Sequence, residues 1–222
     1  MRRTIEPHDA LRLLNGGPVA LMTTRFRNET NVMPAIWTVS LSRRPPLIGV
    51  AVNQARYTHD MARFAEEFAL SFPGLDLLNH THYFGMVSGS EVGKLELAKL
   101  ATFNASKVSA PLIDHCLAYI ECSLDDAIRL GDHTLFVGRV LAVQAEEEAF
   151  DETWRIEERE YRPLHYLGLD RYAVLGDRLQ AELRTSDEGT IELAESQDER
   201  ERREEEEALE RERRQREGED GR

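Results

Sequence analysis

Residues 115–147, HCLAYIECSLDDAIRLGDHTLFVGRVLAVQAEE, constrain the fold more than any other part of the chain. Alternating apolar residues flank Gly131-Asp132 on both sides, and a Gly-Asp pair in that position reads as a tight hairpin turn. The two strands are long, and antiparallel pairs of this length close barrels.

Four more stretches have strand length and β-branched or apolar character: PVALMTTRF, TNVMPAIWTVSLS, PLIGVAVN and EFALSFP. RNE between the first two is a turn, so a hairpin is expected to open the domain. A helix is expected to begin near Thr58, between the third and fourth strands. DLLNHTHYFG and EVGKLELAKLA follow as short helical stretches, and EPHDALRLLN (6–15) forms another, with Pro7 in its first turn and Gly16-Gly17 closing it. Helices interrupt the strands without a repeated strand-helix-strand unit. That pattern favours an α+β, mostly β chain built on an antiparallel barrel over a doubly wound parallel sheet.

The 222 residues suffice for one well-filled domain plus extras. From Ser196 the chain carries 12 acidic and 8 basic residues with only Ala208 and Leu209 as core formers, −4 of the total net charge of −13. Such a tail cannot bury a core; it is a lone helix laced by i,i+4 Glu-Arg pairs or disordered, and either solvated or partner-binding. The expected organisation is a domain over 1–180, a connecting segment over 181–195 and a charged tail over 196–222. The acidic balance argues against nucleic-acid or polybasic membrane contacts, although one local Arg can still hold a small anion. No apolar run reaches the roughly 18 to 20 residues that span a bilayer. MRRTIEPHDA lacks the apolar core of a signal peptide, so a cytoplasmic location is expected. Cys116 and Cys122 form neither a disulfide framework nor a metal spacing and read as buried thiols.

The chemistry candidates begin at NQARYTHDMARF, where a strand passes through Arg56, Tyr57 and Thr58 straight into a helix. A helix N-terminus there presents free N–H groups and the positive dipole end, a seat for phosphate. Thr58 can cap that end and Arg56 can add a charged fork; the plainer alternative leaves Thr58 as a cap alone and Arg56 as a solvated charge. In FGMVSGSEVGKLE, Ser88 and Gly89 make a tight polar turn with Lys94 in the first turn of the next helix, and small residues there admit a ligand close to the backbone. The triphosphate-loop pattern fails, with Ser88 in place of Gly and Leu95 after the lysine, and no GxGxxG is present. Pro34 in NVMPAIWTVS demands an edge strand or bulge, with Trp37 nearby either flanking a planar ring or filling the core. His133 stands at the hairpin mouth, as a structural residue or as a base or hydrogen-bond donor. His80 and His82 point to different sides of a helix and lack a third ligand, so no metal is expected. No nucleophile elbow or paired-carboxylate motif stands out, which leaves the chemistry to a cofactor.

Taken in order, PVALMTTRF, NVMPAIWT, VAVNQARYTHDM, FGMVSGSEVGKLE, KVSAPLIDHCLAYIEC, GDHTLFVGRV and LHYLGLDRYAVLG resemble the flavin reductase-like family, the FMN-binding split barrels that include flavoredoxins. The resemblance covers about 17–176. It implies a homodimeric Greek-key split barrel with FMN at the subunit interface, its phosphate near Arg56, Thr58, Ser88 and Lys94. Ala35, Ile36, Trp37, Thr38 and Asn53 would border the flavin ring, with Tyr166 and Tyr172 near the interface. The activity implied is hydride transfer from NADH or NADPH to flavin, with electrons passing on to oxygen, free flavin or a partner such as a monooxygenase, and His133 orienting the nicotinamide amide. The alternatives are a flavoredoxin-like electron carrier and a flavin-binding module without redox duty. The chain departs from the family at Gly93-Lys94-Leu95, where Asp-Lys-Phe is usual.

Overall fold

The computed structural model describes residues 16–181, 183–185, 191–193, 202, 203 and 206. β1 (Ala20–Phe26) and β2 (Glu29–Ala35) form the opening hairpin. Its turn residues Arg27 and Asn28 both have positive φ, 55° and 66°, the backbone that matches strand twist in a two-residue turn. TNVMPAIWTVSLS does not run on as one strand. It breaks at Ile36 and Trp37 into β2 and β3 (Thr38–Arg43), which pairs with β4 (Pro46–Asn53). After β4 come α1 (Tyr57–Ala65), β5 (Glu67–Pro73), α2 (Leu78–Met86) and α3 (Lys94–Ala98), all in the expected segments. β6 (Thr102–Phe103) and β7 (Leu112–Ile113) make a small separate pair. The long hairpin follows as β8 (Cys116–Leu130) and β9 (His133–Ala145), turning at Gly131 with φ 62°.

Seven strands form one antiparallel sheet in the order β2-β1-β5-β8-β9-β4-β3. The two edge strands, β2 and β3, are joined through Ile36 and Trp37 alone. A flat sheet of this width would hold its edges about 29 Å apart, six spacings of roughly 4.8 Å. The linking residues reach only about 11 Å. The sheet must therefore curl into a barrel, split where the chain crosses from one edge to the other. Bulges at Glu121/Cys122 and Leu124/Asp126, which leave Leu141 of β9 and Asp125 of β8 unpaired, bend this hairpin and assist the curvature. Pro34 sits in edge strand β2, where its missing N–H breaks no ladder inside the sheet.

Met22, Val50, Val52, Phe68, Leu70 and Phe136 fill one core cluster, joined by Ala62 of α1. Leu21 and Ala69, one residue out of phase with Met22 and Leu70, face the other way and pack with Phe84, Leu112 and Ile113 in a second cluster. This period-2 alternation with both faces covered accounts for the near-continuous apolar character of β1 and β5. Cys116 and Cys122 are free and buried, as expected, and burial pushes the Cys122 thiol up to about 12.

This body ends at Gly176, and a second unit begins at Asp177. β10 (Leu164–Gly168) and β11 (Arg171–Val174) pair with each other near the end of the first unit, and in the second unit β12 (Leu183–Thr185) pairs with β13 (Ile191–Leu193). Arg202, Arg203 and Glu206 are helical. The rest of the charged tail and the helix expected over 6–15 lie outside the described residues. Among the described residues, no helix is long and apolar enough to cross a membrane, and no cluster of His, Cys, Asp and Glu is disposed to hold a metal.

Candidate functional site

The split in the barrel and the β4–α1 junction share one groove. Its wider part, a slot of about 480 Å³, is lined by Ala35, Ile36, Trp37, Asn53 and His133, with Met33, Pro34 and Arg56 at its end. Ala51 N–H donates to the Trp37 carbonyl at 2.9 Å, which pins the irregular crossing to β4. The Trp37 and His133 rings lie 4.8 Å apart at 39°. His133 Nδ1 is 2.8 Å from Asp132 Oδ1, and Asn53 Nδ2 donates to Asp132 Oδ2 at 3.2 Å. The hairpin turn thus fixes two slot residues through one carboxylate, and the His133 hydrogen bond lowers the Asp132 pKa. Apolar side chains with an indole flank on one side and the polar groups of Asn53 and His133 on the other suit a planar ring that carries polar edges.

The slot continues past Met33, Pro34, Ala55 and Arg56 into a cavity of about 260 Å³. Arg56, Tyr57, Thr58, Ser88, Gly89 and Lys94 line it, and among the described residues no Asp or Glu does. Arg56, with extended backbone, is the N-cap of α1. The expectation that Thr58 caps this helix does not hold: no side chain caps it, and Thr58 lies inside the first turn. Its hydroxyl is engaged elsewhere, accepting a 2.7 Å bond from Asn31 Nδ2. Tyr57 OH donates to Glu29 Oε2 at 2.6 Å, which raises the phenol pKa.

Lys94 is only 6% exposed. Its ammonium donates to the Val32 carbonyl at 2.9 Å and the Phe84 carbonyl at 2.8 Å, tying β2 to α2. Burial, and secondarily the Arg56 charge, lower its pKa to about 8. Two cations facing one cavity that has no carboxylate, in a chain of net charge −13, make a local seat for an anion. Gly89 is required by close approach: a Cβ there would come within 2.0 Å of Asn31 Oδ1. The Ser88 turn is stabilised by Ser88 Oγ and Ser90 Oγ at 2.8 Å.

Tyr166 and Tyr172 belong to a third cavity of about 170 Å³ that shares Pro34 and Ile36 with the slot. Their rings meet edge to face at 5.3 Å, and the Tyr172 hydroxyl is 3.3 Å from His82 Nδ1. Of the site residues expected from the sequence, Thr38 alone lies off these cavities; it pairs with Val50 at the start of β3. Sequence reasoning missed Met33, Ala55 and Gly85 as lining residues and Asn31 behind them. Asn31 left a signal: it shares its strand face with Met33 and Ala35, so a polar residue occupies an inward position.

A model of the flavin reductase-like domain matches residues 13–172. An uncharacterized Archaeoglobus fulgidus protein is 41% identical over 115 residues, 52% of this chain and 65% of that one. The uncharacterized protein YddH of Escherichia coli is 30% identical over 183 residues, 80% of this chain and 96% of that one. Among solved structures, an FMN-binding protein from Thermus thermophilus superposes with a TM-score of 0.71 at 30% identity, covering 82% of this chain and 99% of its own. A flavoredoxin from Methanosarcina acetivorans gives 0.72 at 26% identity, covering 84% and 99%. With the domain match spanning most of the barrel and its groove, the chain belongs to the flavin reductase-like family.

Proposed function

We propose that the chain binds FMN in this groove and acts as a flavin reductase-type oxidoreductase, taking hydride from NADH or NADPH and passing electrons to oxygen, free flavin or a protein partner such as a monooxygenase. The observation that carries the reading is the Arg56–Lys94 cavity, which no carboxylate of the described residues lines and which is continuous with a slot flanked by Trp37. A phosphate dianion joined to a planar ring matches that pair of cavities in charge and in shape. The residues therefore fit FMN, and fit riboflavin less well.

Bound FMN supplies the redox chemistry. The chain's own part is binding and alignment. Arg56 would fork onto the phosphate, the Thr58 and Ser88 hydroxyls would donate to it, and Gly89 would let it approach the backbone. Ile36 and Trp37 exclude water from the ring, while His133, oriented by Asp132, holds the nicotinamide amide. By holding a nicotinamide and a flavin ring in one groove the chain would supply proximity and orientation, so alignment would do most of the work. The site is completed by a second copy of the chain in a homodimer, covering the cavity of Tyr166 and Tyr172. The likeness to a flavoredoxin favours a second reading, an electron carrier that holds FMN without turnover of pyridine nucleotide.

Titration of the purified protein with FMN and with riboflavin tests the reading. FMN is expected to bind at least about tenfold more tightly, since each charge-assisted bond to phosphate contributes roughly 1.5–3 kcal/mol. Equal dissociation constants would overturn it. Light scattering of the FMN-loaded protein is expected to report a dimer.

A further inference from the structure

Asn31 is 3% exposed and touches both walls of the anion cavity without lining it. On one side its Nδ2 donates to Thr58 Oγ1 at 2.7 Å, across 27 residues of sequence. On the other its Oδ1 fills the space beside Gly89 where any Cβ would stand, 2.0 Å away. That oxygen has no hydrogen-bond partner among the described residues.

A threonine hydroxyl has one proton and two lone pairs. Because Asn31 presents an N–H, Thr58 must use a lone pair to meet it, and the Thr58 proton cannot point back along the same line. Among the described residues the Asn31 bond is the one hydrogen bond that Thr58 Oγ1 makes. The proton is left to the cavity that Thr58 lines. An unpartnered hydroxyl donor beside two cations is suited to an anion with several acceptor oxygens.

We infer that Asn31 is a positioning residue of the phosphate seat: it commits the Thr58 hydroxyl to donate toward the anion. The inference rests on the FMN reading above and deepens it, since it assigns phosphate selectivity to a residue that touches no ligand.

The test measures dissociation constants of FMN and riboflavin for the wild type, Asn31→Ala, Thr58→Val and the double variant. Asn31→Ala, which leaves the Thr58 hydroxyl in place but free to turn, is expected to weaken FMN several-fold, no more than the roughly tenfold loss of one charge-assisted hydrogen bond, and to leave riboflavin within about twofold. Thr58→Val is expected to show the same selective loss, and the double variant to be no worse than Thr58→Val alone, because both act through one hydroxyl. Inorganic phosphate, added to flavin-free protein, is expected to raise the Tm of the wild type more than that of either variant. A packing role for Asn31 would instead weaken both flavins alike, and that result overturns the inference, as does an unchanged FMN-to-riboflavin ratio in Asn31→Ala. If Asn31→Ala does not fold, Thr58→Val decides: an unchanged ratio there removes the hydroxyl donor and the inference with it. A wild type that binds both flavins equally overturns the FMN reading itself, a failure distinct from the others.

Discussion

Arg56→Ala separates a phosphate ligand from a surface charge. A guanidinium-phosphate contact contributes about 1.5–3 kcal/mol, so FMN should weaken about 10- to 150-fold. Riboflavin, with no phosphate, should barely change. The structure adds a pH dependence. Lys94 shares the cavity and has its pKa lowered to about 8, first by burial and then by Arg56. Phosphate binding favours its charged form, so wild-type FMN affinity should fall as pH rises through about 8. Removing Arg56 removes a repulsion, so the Lys94 pKa rises and the fall moves to higher pH. The FMN penalty of Arg56→Ala should therefore be largest near pH 7, where Lys94 is charged in both proteins, and smaller around pH 8 to 9. A phosphate monoester's second pKa lies near 6, which keeps the ligand's own titration largely below this window. Flavin fluorescence titrations of both ligands against both proteins form a double-mutant cycle. A coupling energy within error of zero would show that Arg56 does not meet the phosphate.

Gly89→Ala drives a Cβ against Asn31 Oδ1 and should lower stability by roughly 1–3 kcal/mol in urea unfolding, as overpacking does. Glu121, 1% exposed, accepts from Ser106 N–H, Ser106 Oγ and Lys107 N–H. Glu121→Gln should cost about 1–3 kcal/mol at pH 7 by chemical denaturation. Burial raises the Glu121 pKa, but hydrogen bonds from Ser106, Lys107 and Val108 outweigh it and leave the folded pKa depressed. Its contribution is therefore present above the unfolded value of about 4.3 and lost as pH falls through the folded one. Acidification toward pH 3 should accordingly destabilise Glu121→Gln less than the wild type. Truncation after Glu195 should leave FMN affinity and Tm nearly unchanged; a drop of several degrees would show that the tail packs on the barrel.

The long hairpin was legible because its signal is local: a Gly-Asp turn between alternating strands. The barrel follows from the lengths of the strands, but the crossing that closes it at Ile36 and Trp37 does not, because β-branched, aromatic TNVMPAIWTVSLS reads as continuous strand with Pro34 as its only interruption. The junction at Arg56 could be read from strand and helix signals meeting without a loop. Thr58 was misassigned as a cap because capping is a preference of the local chain, whereas its actual partner, Asn31, arrives from another strand. Lys94 was placed correctly at the start of α3, yet its burial and its bonds to Val32 and Phe84 depend on two distant backbones. Tertiary contacts of that kind leave no periodicity behind.

The groove is proposed to hold a flavin able to take hydride from a pyridine nucleotide. The most direct test is the visible spectrum of the FMN-loaded protein, recorded anaerobically before and after adding NADH, and separately NADPH. Bleaching of the flavin bands by at least one of the two, with recovery on admitting oxygen, is the predicted result. A spectrum unchanged by either nucleotide would contradict the reductase and leave the electron carrier.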